Sequence, residues 1–272
     1  MIEELGMRFI TLVEVMPPGG PKADRILNSL KKIRDLPVDA FTVPTNPVAR
    51  PYLDALTLCV LIGRTTEKPT VLHCTTRDHN SIALQGLLWG AINLGIDTII
   101  AASGDRIGVP DSGRITPVHD MDVFGLIGLA RREGLQTGAV LDPRWGVGSL
   151  EREAERLAQK AEAGAQFVVT QPIYDRATAE TVSKAVEKVD IPTVMGILPL
   201  WTSKHAEFLH KNVAGIHVPD AVRQKMAETG RPKDEGVNIS RQMAELAREL
   251  FDGMCIMPPF GHYEILTEIL GG

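Results

Sequence analysis

Eight short apolar runs, each followed by a segment with apolar residues at helical spacing, predict an α/β fold for this chain of 272 residues: a single (β/α)8 barrel. Two further observations support that class. The strands leave their C-terminal ends in polar residues, most clearly at His73-Cys74-Thr75-Thr76-Arg77-Asp78 and Ser103-Gly104-Asp105-Arg106, the edge where parallel α/β architectures place ligands. The first strand runs into Pro17-Pro18-Gly19-Gly20, not into the G-x-G-x-x-G turn of a doubly wound open sheet, and no Walker loop occurs.

Residues 8–16 form the first strand, with Phe9, Ile10, Leu12, Val13 and Val15 around one acid, Glu14, and two prolines to end it. Ile26, Leu27, Leu30 and Ile33 mark the first helix, and residues 38–43 the second strand, which runs into Pro44-Thr45-Asn46-Pro47. A second helix covers 52–62. The third strand opens at Thr70, the third helix carries Ile82, Leu84, Leu87, Leu88 and Ala91 with Gly95 as its stop, and Thr98, Ile99 and Ile100 open a fourth strand ending at Ser103. Residues 106–117, rich in Gly, Pro and charge, read as an exposed loop that could serve as a lid. Next come a helix over 121–132, a strand over 137–141, an amphipathic helix over 150–163 stopped by Gly164, and a strand over 167–170 ending in Gln171. A helix over 177–188 leads to the seventh strand, 193–198, which finishes at Pro199-Leu200-Trp201, and a helix follows over 203–210. Residues 214–235 read as a polar, irregular connection, followed by a helix over 240–251, an eighth strand over 254–257 and a last helix over 263–270. No domain boundary interrupts residues 1–272.

With 44% hydrophobic residues, the chain can bury one large core. Lys+Arg 29 against Asp+Glu 34 gives a net charge of −5, with no basic run interleaved with aromatics, so nucleic acid is excluded and a small ligand expected. Cys59, Cys74 and Cys255 lie far apart and suit a reducing cytoplasm; they match no zinc, iron–sulfur or disulfide pattern, and no metal site is expected. No signal peptide and no apolar run of the ~18 residues a membrane span needs is present, so a cytoplasmic chain without a membrane span is expected.

Glu14 is the most informative residue. An acid in an apolar strand is costly to desolvate, and its raised pKa would suit a general acid near neutral pH; the alternative is a strand-end carboxylate meeting water or a lysine. Asp105, after Gly104, could accept hydrogen bonds from the N–H groups of a flat ligand or simply shape a turn. Gln171 could read the amide-like edge of a heterocycle or tie down its own loop. His73 could donate to a phosphate or flavin edge or be a structural ring. Arg77, Arg106 and Arg114 lie on rim loops where a pyrophosphate could be met, or where they are merely solvated. No nucleophile elbow is present.

These residues also carry a resemblance, distributed in order along nearly the whole chain. It comprises Val13-Glu14-Val15-Met16-Pro17-Pro18; Asp39-Ala40-Phe41-Thr42-Val43 leading to Asn46-Pro47; His73-Cys74-Thr75-Thr76-Arg77-Asp78-His79-Asn80; and Gly104-Asp105. It continues through Lys160-Ala161-Glu162-Ala163-Gly164-Ala165-Gln166-Phe167, Thr170-Gln171-Pro172-Ile173-Tyr174-Asp175, Gly196-Ile197-Leu198-Pro199-Leu200 and Met257-Pro258-Pro259-Phe260-Gly261-His262-Tyr263. The pattern is similar to methylenetetrahydrofolate reductase, in the stand-alone bacterial form or fused to a homocysteine methyltransferase.

The resemblance implies an oxidoreductase of one-carbon metabolism and methionine biosynthesis. In it FAD passes a hydride from a nicotinamide to 5,10-methylenetetrahydrofolate, giving 5-methyltetrahydrofolate, or the reverse. Glu14 would be the general acid that helps open the five-membered ring, and Asp105 would hydrogen-bond the pterin and tune the flavin. Gln171 and Tyr174 would bind the folate, and His73, Thr75, Ser103, Gly104, Asp105, Arg106 and Lys160 would line the FAD. The implied partners are folate, NAD(P)H, and either further copies of the chain or an electron-transfer protein. The sequence departs from the family at Pro44, where a flavin-contacting Thr is common, at Ser103, where some members have Arg, and at Gln136, where an acid holding the flavin sugar is sometimes seen. Trp201-Thr202-Ser203 stands where a stacking aromatic is frequent, and Trp201 is the candidate for that role. A non-oxidative folate-binding methyl-transfer barrel, or a reductase subunit dependent on a partner electron-transfer protein, are the alternatives.

Overall fold

The structure, a computed structural model, describes residues 4–107, 115–118, 120–142, 149–213 and 215–271. Arg114 and residues 108–114 of the segment read as a lid lie outside them. Eight parallel strands close a barrel in chain order: β1 (Ile10–Glu14), β2 (Ala40–Val43), β3 (Thr70–Thr75), β4 (Thr98–Ala102), β5 (Gln136–Leu141), β6 (Phe167–Pro172), β7 (Thr193–Ile197) and β8 (Gly253–Ile256), which pairs back onto β1. The (β/α)8 barrel is thus the observed fold. Between the strands run α1 (Asp24–Lys31), α2 (Ala55–Thr66), α3 (Ser81–Asn93), α4 (Val123–Arg132), α5 (Ser149–Glu162), α6 (Arg176–Val186), α7 (Ser203–Asn212), α8 (Asp220–Glu228) and α9 (Pro232–Leu250), and α10 (Ile265–Leu270) follows β8.

Strand alternation divides the core. Ile10, Leu12, Ala40, Val71, Ile100, Phe167, Val169, Val194 and Cys255 cluster inside the barrel, while Val13, Phe41, Leu72, Ile99, Val168, Met195 and Ile256 join the cluster under the helices. Phe167 fills the interior because Gly138, its partner on β5, leaves room: a Cβ there would sit 2.3 Å from Phe167 Cζ. Continued toward the C-terminal ends, the inward parity falls on Glu14, Thr42, His73, Thr75, Ala102, Asp142 and Gln171. Apolar interior below and polar rim above are therefore one alternating pattern. Asp54, Asn80, Asp122, Asp175 and Thr202 cap α2, α3, α4, α6 and α7, each accepting from a backbone N–H three residues on.

Residues 214–235 differ from the irregular connection expected. They contain α8, whose buried residue is Met226 and which Arg223 ties to Glu207 of α7; so few apolar residues give no periodicity to read. α9 starts about two turns before residue 240. Pro232 and Gly236 look like breakers there, but proline is tolerated in a first turn, whose N–H has no intrahelical partner. Gly236 answers a close approach: Leu200 O lies 1.8 Å from where its Cβ would be. No helix among the described residues is long and apolar enough to cross a membrane.

Candidate active site

A cavity of about 1250 Å³ opens at the C-terminal ends of the strands. Of the residues singled out from sequence, Glu14, His73, Thr75, Ser103, Gly104, Asp105, Lys160 and Gln171 line it, and Arg106 and Tyr174 do not. Arg106 is exposed on the loop after β4. Tyr174 is only 4% exposed, and its hydroxyl donates to the Leu198 carbonyl at 3.1 Å, so it braces the wall from behind the cavity lining.

Glu14 ends β1, half-buried. Burial, with the Asp105 charge as the lesser cause, raises its pKa from 4.5 to about 7, so near neutral pH it can give or take a proton. Its charge also reaches Cys255 on β8 and Tyr263, whose own pKa values are raised mainly by burial. His73 Nε2 lies 3.0 Å from Thr42 Oγ1, and burial lowers the ring's pKa to about 4. A neutral imidazole offers a ligand a hydrogen bond without a positive charge.

Asp105 Oδ2 accepts from the Val48 backbone N–H at 2.6 Å, which joins the loops after β4 and β2 across the cavity mouth. Arg77, a candidate phosphate partner by sequence, is occupied within the scaffold. Its Nε donates to Asp78 at 2.6 Å, its Nη2 to Asp78 at 2.7 Å and to the Asn46 carbonyl at 2.9 Å, and its Nη1 to the Asp105 carbonyl at 3.0 Å. One buried guanidinium thus holds three loops. Gly104 is dictated by the same packing: its φ is +84°, and a Cβ would lie 2.9 Å from Arg77 Cβ.

Arg152, Arg156 and Lys160 occur at four-residue spacing on α5, and all three line the cavity. Lys160 is buried, and its Nζ donates to the Val140 carbonyl at 2.7 Å. Trp201 does not line the cavity: its ring stacks on His262 at 4.1 Å and 8°, and its backbone N–H donates to His205 Nδ1 at 3.3 Å. Gln136 opens β5, paired with Thr98 at the start of β4, and therefore lies at the end of the barrel opposite the cavity. The sequence reading missed Arg152, Arg156, Phe260 and Tyr263 as cavity residues. The signals were there, a basic row at helical spacing and a polar-aromatic end to the eighth strand. No group of three or more His, Cys, Asp or Glu among the described residues could hold a metal ion.

Among curated proteins none matches the chain. Among solved structures it is similar to an uncharacterized protein from Clostridium thermocellum that binds two copies of 5-methyl-5,6,7,8-tetrahydrofolic acid; identity is 13%, TM-score 0.71, and 99% of this chain and 95% of that one are covered. It is also similar to Mycobacterium tuberculosis tryptophan synthase, with 12% identity, TM-score 0.59 and coverage of 99% and 95%. A third is 2,3-dimethylmalate lyase, with 14% identity, TM-score 0.53 and coverage of 97% and 80%. At such identities these likenesses show the barrel fold alone. The family model described as Methylenetetrahydrofolate reductase matches residues 3–257, from before β1 to the end of β8, and on that match the chain belongs to the methylenetetrahydrofolate reductase family.

Proposed function

We propose that this chain is a flavin-dependent reductase interconverting 5,10-methylenetetrahydrofolate and 5-methyltetrahydrofolate, with electrons from NAD(P)H or a protein donor. The observation that carries the proposal is Glu14, a carboxyl with its pKa raised to about 7 inside the cavity that Asp105 and Gln171 also line. The family and the folate bound by the Clostridium thermocellum neighbour support it.

The residues present fit FAD. Arg152 and Arg156 present cations suited to a diphosphate, with the charge of Lys160 behind them on the Val140 carbonyl, Thr75 and Ser103 offer hydroxyls, and neutral His73 adds no charge beside a ring edge. FAD bound there would supply the hydride chemistry. The chain's own work is distinct from it. Glu14 would give its proton to the folate nitrogen that leaves as the five-membered ring opens, and its pKa near 7 is what keeps a proton available. Asp105 would accept from pterin N–H groups, exchanging the Val48 amide for the ligand, and Gln171 would bind the folate with its amide.

The two folate molecules on the neighbour favour a second reading, a non-oxidative folate-binding barrel for methyl transfer. The visible spectrum of the purified chain, incubated with FAD without oxygen, separates the two. A flavin band bleached by 5-methyltetrahydrofolate is the expected result. A flavin band untouched by that folate overturns the reductase reading, and folate binding with no flavin band moves the assignment to methyl transfer.

A further inference from the structure

We propose that Phe260 is the stacking residue for the pterin ring of the folate, held over the cavity by strained backbone; this rests on the folate reading above and names a specificity residue for it. Among the described residues, two non-glycine residues with left-handed backbone line the cavity, Val48 and Phe260. Phe260 has φ 55° and ψ 20° between the stiff Pro258-Pro259 and Gly261, itself at φ 75°. A bulky aromatic rarely adopts this conformation, and such strain persists where the surroundings enforce it, commonly at ligand sites.

Phe260 is 70% exposed although it borders a large cavity, so burial does not offset the strain. His205 supports it from one side, tilted by 53° at 4.8 Å between centroids, which leaves ring surface for another partner. Its place follows from topology. β8 pairs with β1, so the loop bearing Phe260 adjoins the strand that ends in Glu14, and a flat heterocycle placed to take the Glu14 proton would lie within reach of the Phe260 face. Trp201, the aromatic on the loop after β7, has its ring stacked on His262 instead.

The test compares Phe260→Gly and Phe260→Trp with the wild-type chain, titrating 5-methyltetrahydrofolate and FAD separately and following thermal unfolding. Phe260→Gly should weaken 5-methyltetrahydrofolate binding about tenfold and leave FAD binding within about twofold. Its Tm should stay level or rise by up to about 3 °C, because glycine relieves the strain. Phe260→Trp should keep folate affinity within about threefold. Folate binding unchanged in Phe260→Gly would overturn the role of Phe260 while leaving the folate reading intact. A lowered Tm with both ligands weakened together would overturn it too, assigning Phe260 to the scaffold. Failure of the wild-type chain to bind 5-methyltetrahydrofolate would overturn the folate reading and this role with it.

Discussion

A carboxyl with a folded pKa of about 7 and an ordinary value of 4.5 binds more protons folded than unfolded between those values, so Glu14 makes stability fall as pH rises through that window. The loss is complete above about pH 7 and absent below about pH 4.5; partial exposure to the cavity limits it to about 2–3 kcal/mol. Glu14→Gln should therefore stabilise the chain by about that amount near pH 8 and by almost nothing near pH 4, as urea unfolding at the two pH values would show. An equal effect at both would mean that burial does not raise this pKa. Glu14 was legible in the sequence because one acid in an apolar strand is a local signal. The scaffold contacts of Arg77 and Tyr174 were not legible because their partners are distant: Arg77 meets Asn46 and Asp105 across 31 and 28 positions, and Tyr174 meets Leu198 across 24.

Strands were read within a few residues because prolines and polar ends punctuate them, and Gly95, with φ 81°, stops its helix as expected. Helices defined by packing more than by pattern were not. α8 and the first turns of α9 were invisible because the residues that fix them answer neighbours: Arg223 bonds to Glu207, and Gly236 makes way for Leu200. Two glycine substitutions separate propensity from packing. Gly86→Ala in α3, where nothing lies within 4 Å of the added carbon, should stabilise by about 0.5–1 kcal/mol. Gly236→Ala in α9 should instead destabilise by about 2 kcal/mol or more, since the clash with the Leu200 carbonyl exceeds the propensity gain. Urea midpoints would give both signs, and a stabilised Gly236→Ala would show that α9 yields there.

Barrel closure does what no single stretch of sequence displays: it sets β8 and β2 on either side of β1. Glu14 is thereby bracketed by the loops bearing Phe260 and Val48, while His73, Ser103 and Lys160 come to the same cavity from β3, the loop after β4, and α5. The acid and the residues proposed to hold FAD thus share one space. The most direct test of that arrangement mixes the FAD-loaded, prereduced chain with 5,10-methylenetetrahydrofolate without oxygen and follows flavin reoxidation from about pH 5 to about pH 9 in the wild type and Glu14→Gln. The rate should fall as pH rises through about 7 in the wild type and be roughly 10²- to 10⁴-fold lower in Glu14→Gln, with flavin content unchanged. Equal rates in the two proteins, or a wild-type rate that does not change with pH, would contradict the placement of the acid.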